Sequence, residues 1–181
     1  MDVIKKTGAN LWVFGYGSLI WRPGFAFTEK RLATVTGYRR RFCQASHDHR
    51  GTPDNPGRVV TLASDVDSQC EGMAFKVEDS TEVVLGLLDI REQDGYERQS
   101  LRMTFTDGTS EEGVTWIAAK GNPSWRGDET LDEVSRLIAE REGPSGSNRD
   151  YLFELQRALA EVNIVDSYVD SLCVQVRSAA V

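Results

Sequence analysis

Every strand-length apolar segment of this chain lies ahead of residue 120, and helical periodicity takes over after residue 129. That order excludes the long strand–helix alternation of a doubly wound parallel sheet. It predicts an α+β fold: a curved or closed mixed sheet with helices packed on it.

The segments read as follows. Leu11 to Gly15 is a buried strand. Arg31 to Ser46 is a strand with a turn near Gly37, and His47 to Gly57 is a polar loop. Arg58 to Ala63 and Cys70 to Val77 are strands. Asp79 can cap a first helix, with Glu82 reaching back and Val83, Val84, Leu87 and Leu88 as its apolar stripe. The helix ends near Arg91 or Glu92, because Gly95 follows. Tyr96 to Thr106 and Val114 to Ala119 are strands around an Asp107-Gly108 turn. A second helix starts near Thr130 with Glu133 completing a capping box, and presents Leu131, Val134, Leu137, Ile138 and Arg141. After the Gly143–Asn148 break, Ser147 caps a third helix to about Asn163, and a fourth runs from Val165 to Arg177.

The chain has 181 residues, enough for one domain with a real core. Its net charge of −7 disfavours nucleic acid or an anionic membrane as partner. The basic run Arg39-Arg40-Arg41 lies in a strand, where neighbours point to opposite faces. Cys43, Cys70 and Cys173 are odd in number and widely spaced, which argues against a disulfide framework and a zinc site. They read as reduced thiols. Residues 1–10 form a polar lead-in without an apolar core, and the apolar runs are far too short to span a membrane. A cytoplasmic protein is expected.

The first candidate site is the break in "VFGYGSLIW", Val13 to Trp21. A dinucleotide fingerprint would need glycine at Ile20, and a P-loop would need Gly-Lys-Ser/Thr where Ile20 and Trp21 stand. Glycines can take up positive φ and let a ligand approach the backbone. The N–H groups that follow can converge on a carboxylate, with Tyr16 and Ser18 adding hydroxyl donors. The plainer reading of the same residues is a tight turn ending a barrel strand, with Tyr16 in the core. Ser18 lacks the glycine-flanked elbow of an acyl nucleophile, since Ile20 fills the last glycine position.

The second candidate is Glu92, in "DIREQDGYE". A carboxyl group where an apolar helix ends is partly desolvated, which raises its pKa and suits it to take and return a proton. A solvated glutamate paired with arginine is the plainer alternative. Arg91, near the helix C-terminus, favours the dipole and needs no functional role. His47 and His49 lack further ligands at zinc spacing, so no metal is expected.

"VFGYGSLIW", "YRRRFCQASHDHRGTPDNPGRVVTL", "CEGMAF", "REQDGY" and "GPSGSNRDYLFEL" together resemble the ChaC-type γ-glutamylcyclotransferases, from about Leu11 to Val176. The resemblance implies a single γ-glutamylcyclotransferase-like domain over 11–181: a small mixed barrel with surrounding helices. It implies cleavage of glutathione to 5-oxoproline and cysteinylglycine without a cofactor. Gly15, Tyr16, Gly17, Ser18, Leu19 and Ile20 resemble the substrate-binding loop, Glu92 resembles the catalytic glutamate, and Tyr151 resembles a pocket tyrosine. Two departures bear on pocket shape: Cys43-Gln44-Ala45-Ser46, where relatives often have "WQGS", and Asp94, where relatives often have glycine before "GY".

Overall fold

The computed structural model describes residues 11–78 and 80–179. The lead-in and the Asp79 cap fall outside the described residues.

Two very long strands make the frame. β2 (Phe27–Ser46) and β3 (Gly57–Val77) pair antiparallel along their length, joined by the loop at 47–56. Such long strands must coil rather than stay flat. The register shifts between Phe27 and Glu29, Thr36 and Tyr38, and Arg41 and Gln44. Gly37, with φ of +86°, sits at the middle shift. The turn expected there is a bulge inside one continuous strand. Residues 64–69, expected to separate two strands, belong to β3. They lie near the middle of the ladder, beside the shift at Gly37, where most side chains are exposed, so the alternation that marks a half-buried strand is missing.

β1 (Trp12–Gly15) pairs antiparallel with β3, β4 (Tyr96–Phe105) pairs with β2, and β5 (Ser110–Ala118) pairs with β4. A parallel bridge between Val13 and Val114 closes the barrel in the order β1-β3-β2-β4-β5. Closure leaves no free sheet edge. The α+β fold expected from element order is therefore the one observed.

Helices cover two sides. α1 (Thr81–Arg91) buries Val84, Leu85 and Leu88 against Val13, Val114 and Trp116. Val83 and Leu87, expected in that stripe, are exposed at 57% and 55%; Leu85 takes the inward place. A helix of mostly apolar residues does not reveal its buried face by periodicity alone. α2 (Leu131–Glu140), α3 (Asn148–Glu161) and α4 (Ser167–Ser178) join the main core. There Val134, Ile138, Leu152, Leu155 and Leu172 share one cluster with Phe14, Phe42, Leu62 and Phe75. The capping box of Thr130 and Glu133 is present, and Ser147 accepts from the Asp150 N–H as an N-cap. Each such cap is worth about 1 kcal/mol. Among the described residues no helix is long and apolar enough to cross a membrane.

Candidate active site

β1 delivers the glycine-tyrosine-glycine break to one end of the barrel. After Gly15 the chain leaves the ladder and makes a short 3₁₀ turn, Ser18–Ile20, closed by the Ile20 N–H on the Gly17 carbonyl at 3.0 Å. Neither Gly15 nor Gly17 has positive φ. Space is the reason for glycine at both. A Cβ on Gly17 would lie 2.7 Å from Val60 Cγ1, and one on Gly15 2.9 Å from Leu19 Cβ.

Arg40 fixes the peptide at the centre of the break. It is 3% exposed, and its Nε donates to the Tyr16 carbonyl at 2.7 Å. Its Nη1 donates to Asp166 at 3.0 Å, and its Nη2 to the Glu71 carbonyl. In a trans peptide the N–H points opposite the C=O. With the Tyr16 carbonyl held by Arg40, the Gly17 N–H faces away from that guanidinium. Gly17 lines a cavity of about 40 Å³ beside it. Among the described residues the Gly17, Ser18 and Leu19 N–H groups make no internal hydrogen bond. The basic run is thus divided by the strand: Arg40 is buried, while Arg39 pairs with Asp65 and Arg41 stacks over Tyr168.

Glu92 closes the other wall. It is the C-cap of α1, its N–H bonded to the Leu88 carbonyl at 2.8 Å. The side chain is 19% exposed. Burial pushes its carboxyl above the usual range, while the charges of Arg91 and His49 oppose that rise. Arg91 does more than meet the helix dipole. Its Nε lies 3.3 Å from Glu92 Oε1, its Nη2 donates to Ser18 Oγ at 3.0 Å, and its Nη1 donates to the Arg22 and Pro23 carbonyls. One guanidinium therefore ties the glutamate to the glycine break. The helix dipole is not its only use: its contacts are tertiary, across 73 positions of chain.

Below Glu92 the chain reverses through Asp94 and Gly95, with φ of +64° and +87°. This left-handed pair accounts for a second glycine being suitable there; aspartate is among the few other residues that adopt it. Buried Gln44 donates to the Asp94 carbonyl at 2.5 Å and exchanges hydrogen bonds with Asn122.

Three tyrosines surround the carboxyl, all raised in pKa mainly by burial, so each hydroxyl keeps its proton. Tyr16 donates to the Trp116 carbonyl at 2.6 Å and Tyr96 to the Val60 carbonyl at 2.6 Å. Tyr16 thus spends its proton on structure and offers none to a ligand. Tyr151 donates no hydrogen bond among the described residues, and its hydroxyl lies 3.6 Å from where a Gly17 Cβ would stand. α3 carries it there because Asn148, fully buried, bonds both the N–H and the carbonyl of Arg58 on β3, at 2.6 and 2.8 Å. That is the structural use of the asparagine in the "GPSGSN" stretch.

The 40 Å³ cavity is lined by Tyr16, Gly17, Ser18, Leu19, Glu92 and Tyr151 among the expected residues. Gly15 and Ile20 do not line it; Gly15 ends β1 and Ile20 is buried in the core behind the turn. Val60, Tyr96, Thr115 and Trp116 complete the wall. Sequence reasoning missed these because they come from strands that only barrel closure brings together. Ser18, Glu92, Tyr96 and Tyr151 also border an outer cavity of about 490 Å³. A further cavity of about 480 Å³, between α3 and α4, is lined by none of the expected site residues. Size alone therefore does not locate the chemistry. His47 is half-buried and His49 exposed, and among the described residues no three His, Cys, Asp or Glu side chains converge as metal ligands would.

Known proteins share this arrangement of chain. The family described as ChaC-like protein matches residues 11–179. Gamma-glutamylcyclotransferase 2-3 of Arabidopsis thaliana is 44% identical over 178 residues, covering 92% of this chain and 88% of its own. The glutathione-specific gamma-glutamylcyclotransferase of Saccharomyces cerevisiae is 31% identical, covering 90% of each chain. A crystal structure of the yeast cyclotransferase specific to glutathione superposes with a TM-score of 0.87 at 30% identity, covering 94% of this chain and 97% of that one.

Proposed function

The chain belongs to the ChaC-like family, and on that premise we propose that it is a γ-glutamylcyclotransferase that cleaves glutathione to 5-oxoproline and cysteinylglycine. We assign the activity to one domain beginning at residue 11. The observation that carries the reading is one small chamber lined both by Glu92, raised in pKa by burial, and by Gly17, Ser18 and Leu19, whose N–H groups make no internal hydrogen bond among the described residues.

The reaction is intramolecular. The α-amine and the γ-carbonyl belong to one glutamyl arm, and curling that arm brings nitrogen onto carbon. Well-oriented intramolecular reactions reach effective molarities of ~10⁵–10⁸ M, so holding one conformer is a large share of the task. The N–H groups of the 3₁₀ turn grip the α-carboxylate.

The amine arrives protonated, and Glu92 as carboxylate removes a proton to free the lone pair. The new C–N bond closes the five-membered ring and oxygen takes up negative charge. As the bond to the cysteinyl nitrogen breaks, Glu92 returns the proton to that nitrogen. The ring nitrogen, which still carries two protons after its attack, then gives one to the freed carboxylate, which passes it to the cysteinylglycine amine, so that the lactam leaves neutral and Glu92 is regenerated. A positioned acid–base group contributes about 10²–10⁴-fold. Charge on the oxygen needs a donor. The Tyr151 hydroxyl fits that role, because Tyr16 and Tyr96 have already committed theirs.

The thiols Cys43, Cys70 and Cys173 are all buried, with Cys43 pushed up to about 12 by burial. They suit a reducing compartment, and we place the activity in the cytoplasm.

Incubation with glutathione and a panel of other γ-glutamyl compounds, read by mass spectrometry of 5-oxoproline, tests the proposal. Release from glutathione is expected. Release only from other compounds moves the substrate, and binding without release removes the activity.

A further inference from the structure

Resting on that reading, we propose that Arg50 binds the carboxylate at the far end of the substrate, making the outer cavity selective for γ-glutamyl peptides with a free C-terminal carboxylate.

The outer cavity, about 490 Å³, is of the size that takes a small ligand. It opens from the chamber that holds the reacting bond, through Ser18, Glu92, Tyr96 and Tyr151. Beyond that bond the substrate has two residues, which span at most about 7 Å. Their end carries a negative charge, in a protein of net charge −7 whose cavity wall includes Asp48, Glu92 and Asp94. A cation must offset that.

The wall offers Arg22, His49, Arg50 and Arg91. Arg91 is spent on Ser18, Glu92 and the Arg22 and Pro23 carbonyls. His49 lies beside Asp48, at 3.7 Å, and is 62% exposed. Arg22 is exposed at the rim. Arg50 is half-buried, and its guanidinium lies 5.3 Å from the centre of the Tyr151 ring, next to the inner chamber. It spends one N–H group on the Ser147 carbonyl at 3.2 Å. Among the described residues no carboxylate pairs with it.

Arg50 is also held in place before any substrate arrives. Its backbone N–H donates to Ser46 Oγ at 3.0 Å. Its carbonyl packs so closely on Gly57 that any side chain there would collide with it. The hairpin of β6 (Glu142–Gly143) and β7 (Gly146–Ser147) supports the other side, with the Ser145 N–H on the His49 carbonyl at 3.0 Å. A Cβ on Gly146 would stand 3.3 Å from Arg50 Nη1, and the φ there is +104°. Gly57 and Gly146 therefore help to seat Arg50 against Tyr151. A planar guanidinium fixed in this way suits a carboxylate, which it can grip with two parallel N–H groups.

The test compares glutathione with glutathione esterified at its glycyl carboxylate, in the wild type, Arg50→Gln and Arg50→Lys. Loss of a charge-assisted pair predicts a KM for glutathione about 10- to 100-fold higher in Arg50→Gln, with the loss falling on KM far more than on kcat. The wild type itself should show a similar rise in KM for the ester, a measurement that needs no variant to fold. Arg50→Gln should then add little further on the ester, and Arg50→Lys should recover part of the affinity for the free acid. Equal wild-type KM for acid and ester, or an Arg50→Gln penalty of equal size on both, overturns the proposal. Should the wild type release no 5-oxoproline from any γ-glutamyl compound, the activity reading fails instead. Calorimetric binding of the acid and the ester then decides the role of Arg50 by the same comparison.

Discussion

The two chambers that meet at Glu92 are built differently. The inner one, about 40 Å³, is walled by strand ends and by a backbone turn whose atoms are fixed by neighbours: Tyr16 by Arg40 and Trp116, Tyr96 by Val60, Ser18 by Arg91. The outer one, about 490 Å³, is walled by the 47–56 loop, the β6–β7 hairpin and charged side chains. Bond making needs groups held to a fraction of an ångström, which a closed barrel supplies. Choice among substrates needs charge and room, which loops on a rigid scaffold supply. The chemistry should therefore fail when the inner wall is altered, and affinity should fail when the outer one is.

The hardest test of that division is Glu92→Gln. Turnover should fall by about 10²–10⁴-fold in a folded protein. Burial raises the Glu92 pKa above its ordinary 4.5, so the folded state holds that proton more tightly than the unfolded chain. The wild type should then lose stability as pH rises from 4.5 through the folded pKa, and the Gln variant should lack that slope. The rate should move the other way, rising with pH through the same pKa, if the carboxylate is the form that acts, as proposed. Full turnover in purified Glu92→Gln would remove the carboxylate from the mechanism.

Tyr151→Phe keeps the ring that packs on Trp21 and Phe42 and deletes the hydroxyl. We expect kcat to drop by about 10²-fold, the usual cost of an oxyanion donor. A change confined to KM would move Tyr151 to the outer chamber's work.

Arg91→Gln should lower kcat/KM by about tenfold, since small misplacements of reacting groups are costly. It should also move the acid limb of the rate profile to higher pH, because Arg91 favours the Glu92 carboxylate. An unmoved limb would mean that Arg91 supports the fold alone.

The smallest effect should come from Asp94→Gly. Relief of a left-handed aspartate is offset by the freedom glycine gains in the unfolded chain, so stability should change by no more than about 1 kcal/mol. A large loss by thermal melting would show that the Asp94 side chain itself holds the turn.

The strand segments on either side of residues 64–69, the capping box at Thr130, the Ser147 cap and the Asp107-Gly108 turn were legible in the sequence, because each depends on neighbours within a few residues. The inward face of α1 was not, since Val83, Val84, Leu85, Leu87 and Leu88 leave several stripes open and only contact with β1 and β5 selects one. Residues 64–69 hid their strand character because exposure on both sides erases alternation.

Residue order by itself determined the α+β class, the placing of a glycine break at the end of a buried strand, and a carboxyl group where an apolar helix stops. These are local matters of backbone freedom and burial. Only the closed barrel decided that break and carboxyl share one chamber, that Arg40 turns the Tyr16 peptide, that Arg91 bridges loop and acid, and that Tyr16 and Tyr96 donate to backbone carbonyls while Tyr151, among the described residues, donates to none. Each of those facts joins groups far apart in the chain, and no local rule carries a distance that folding has yet to set.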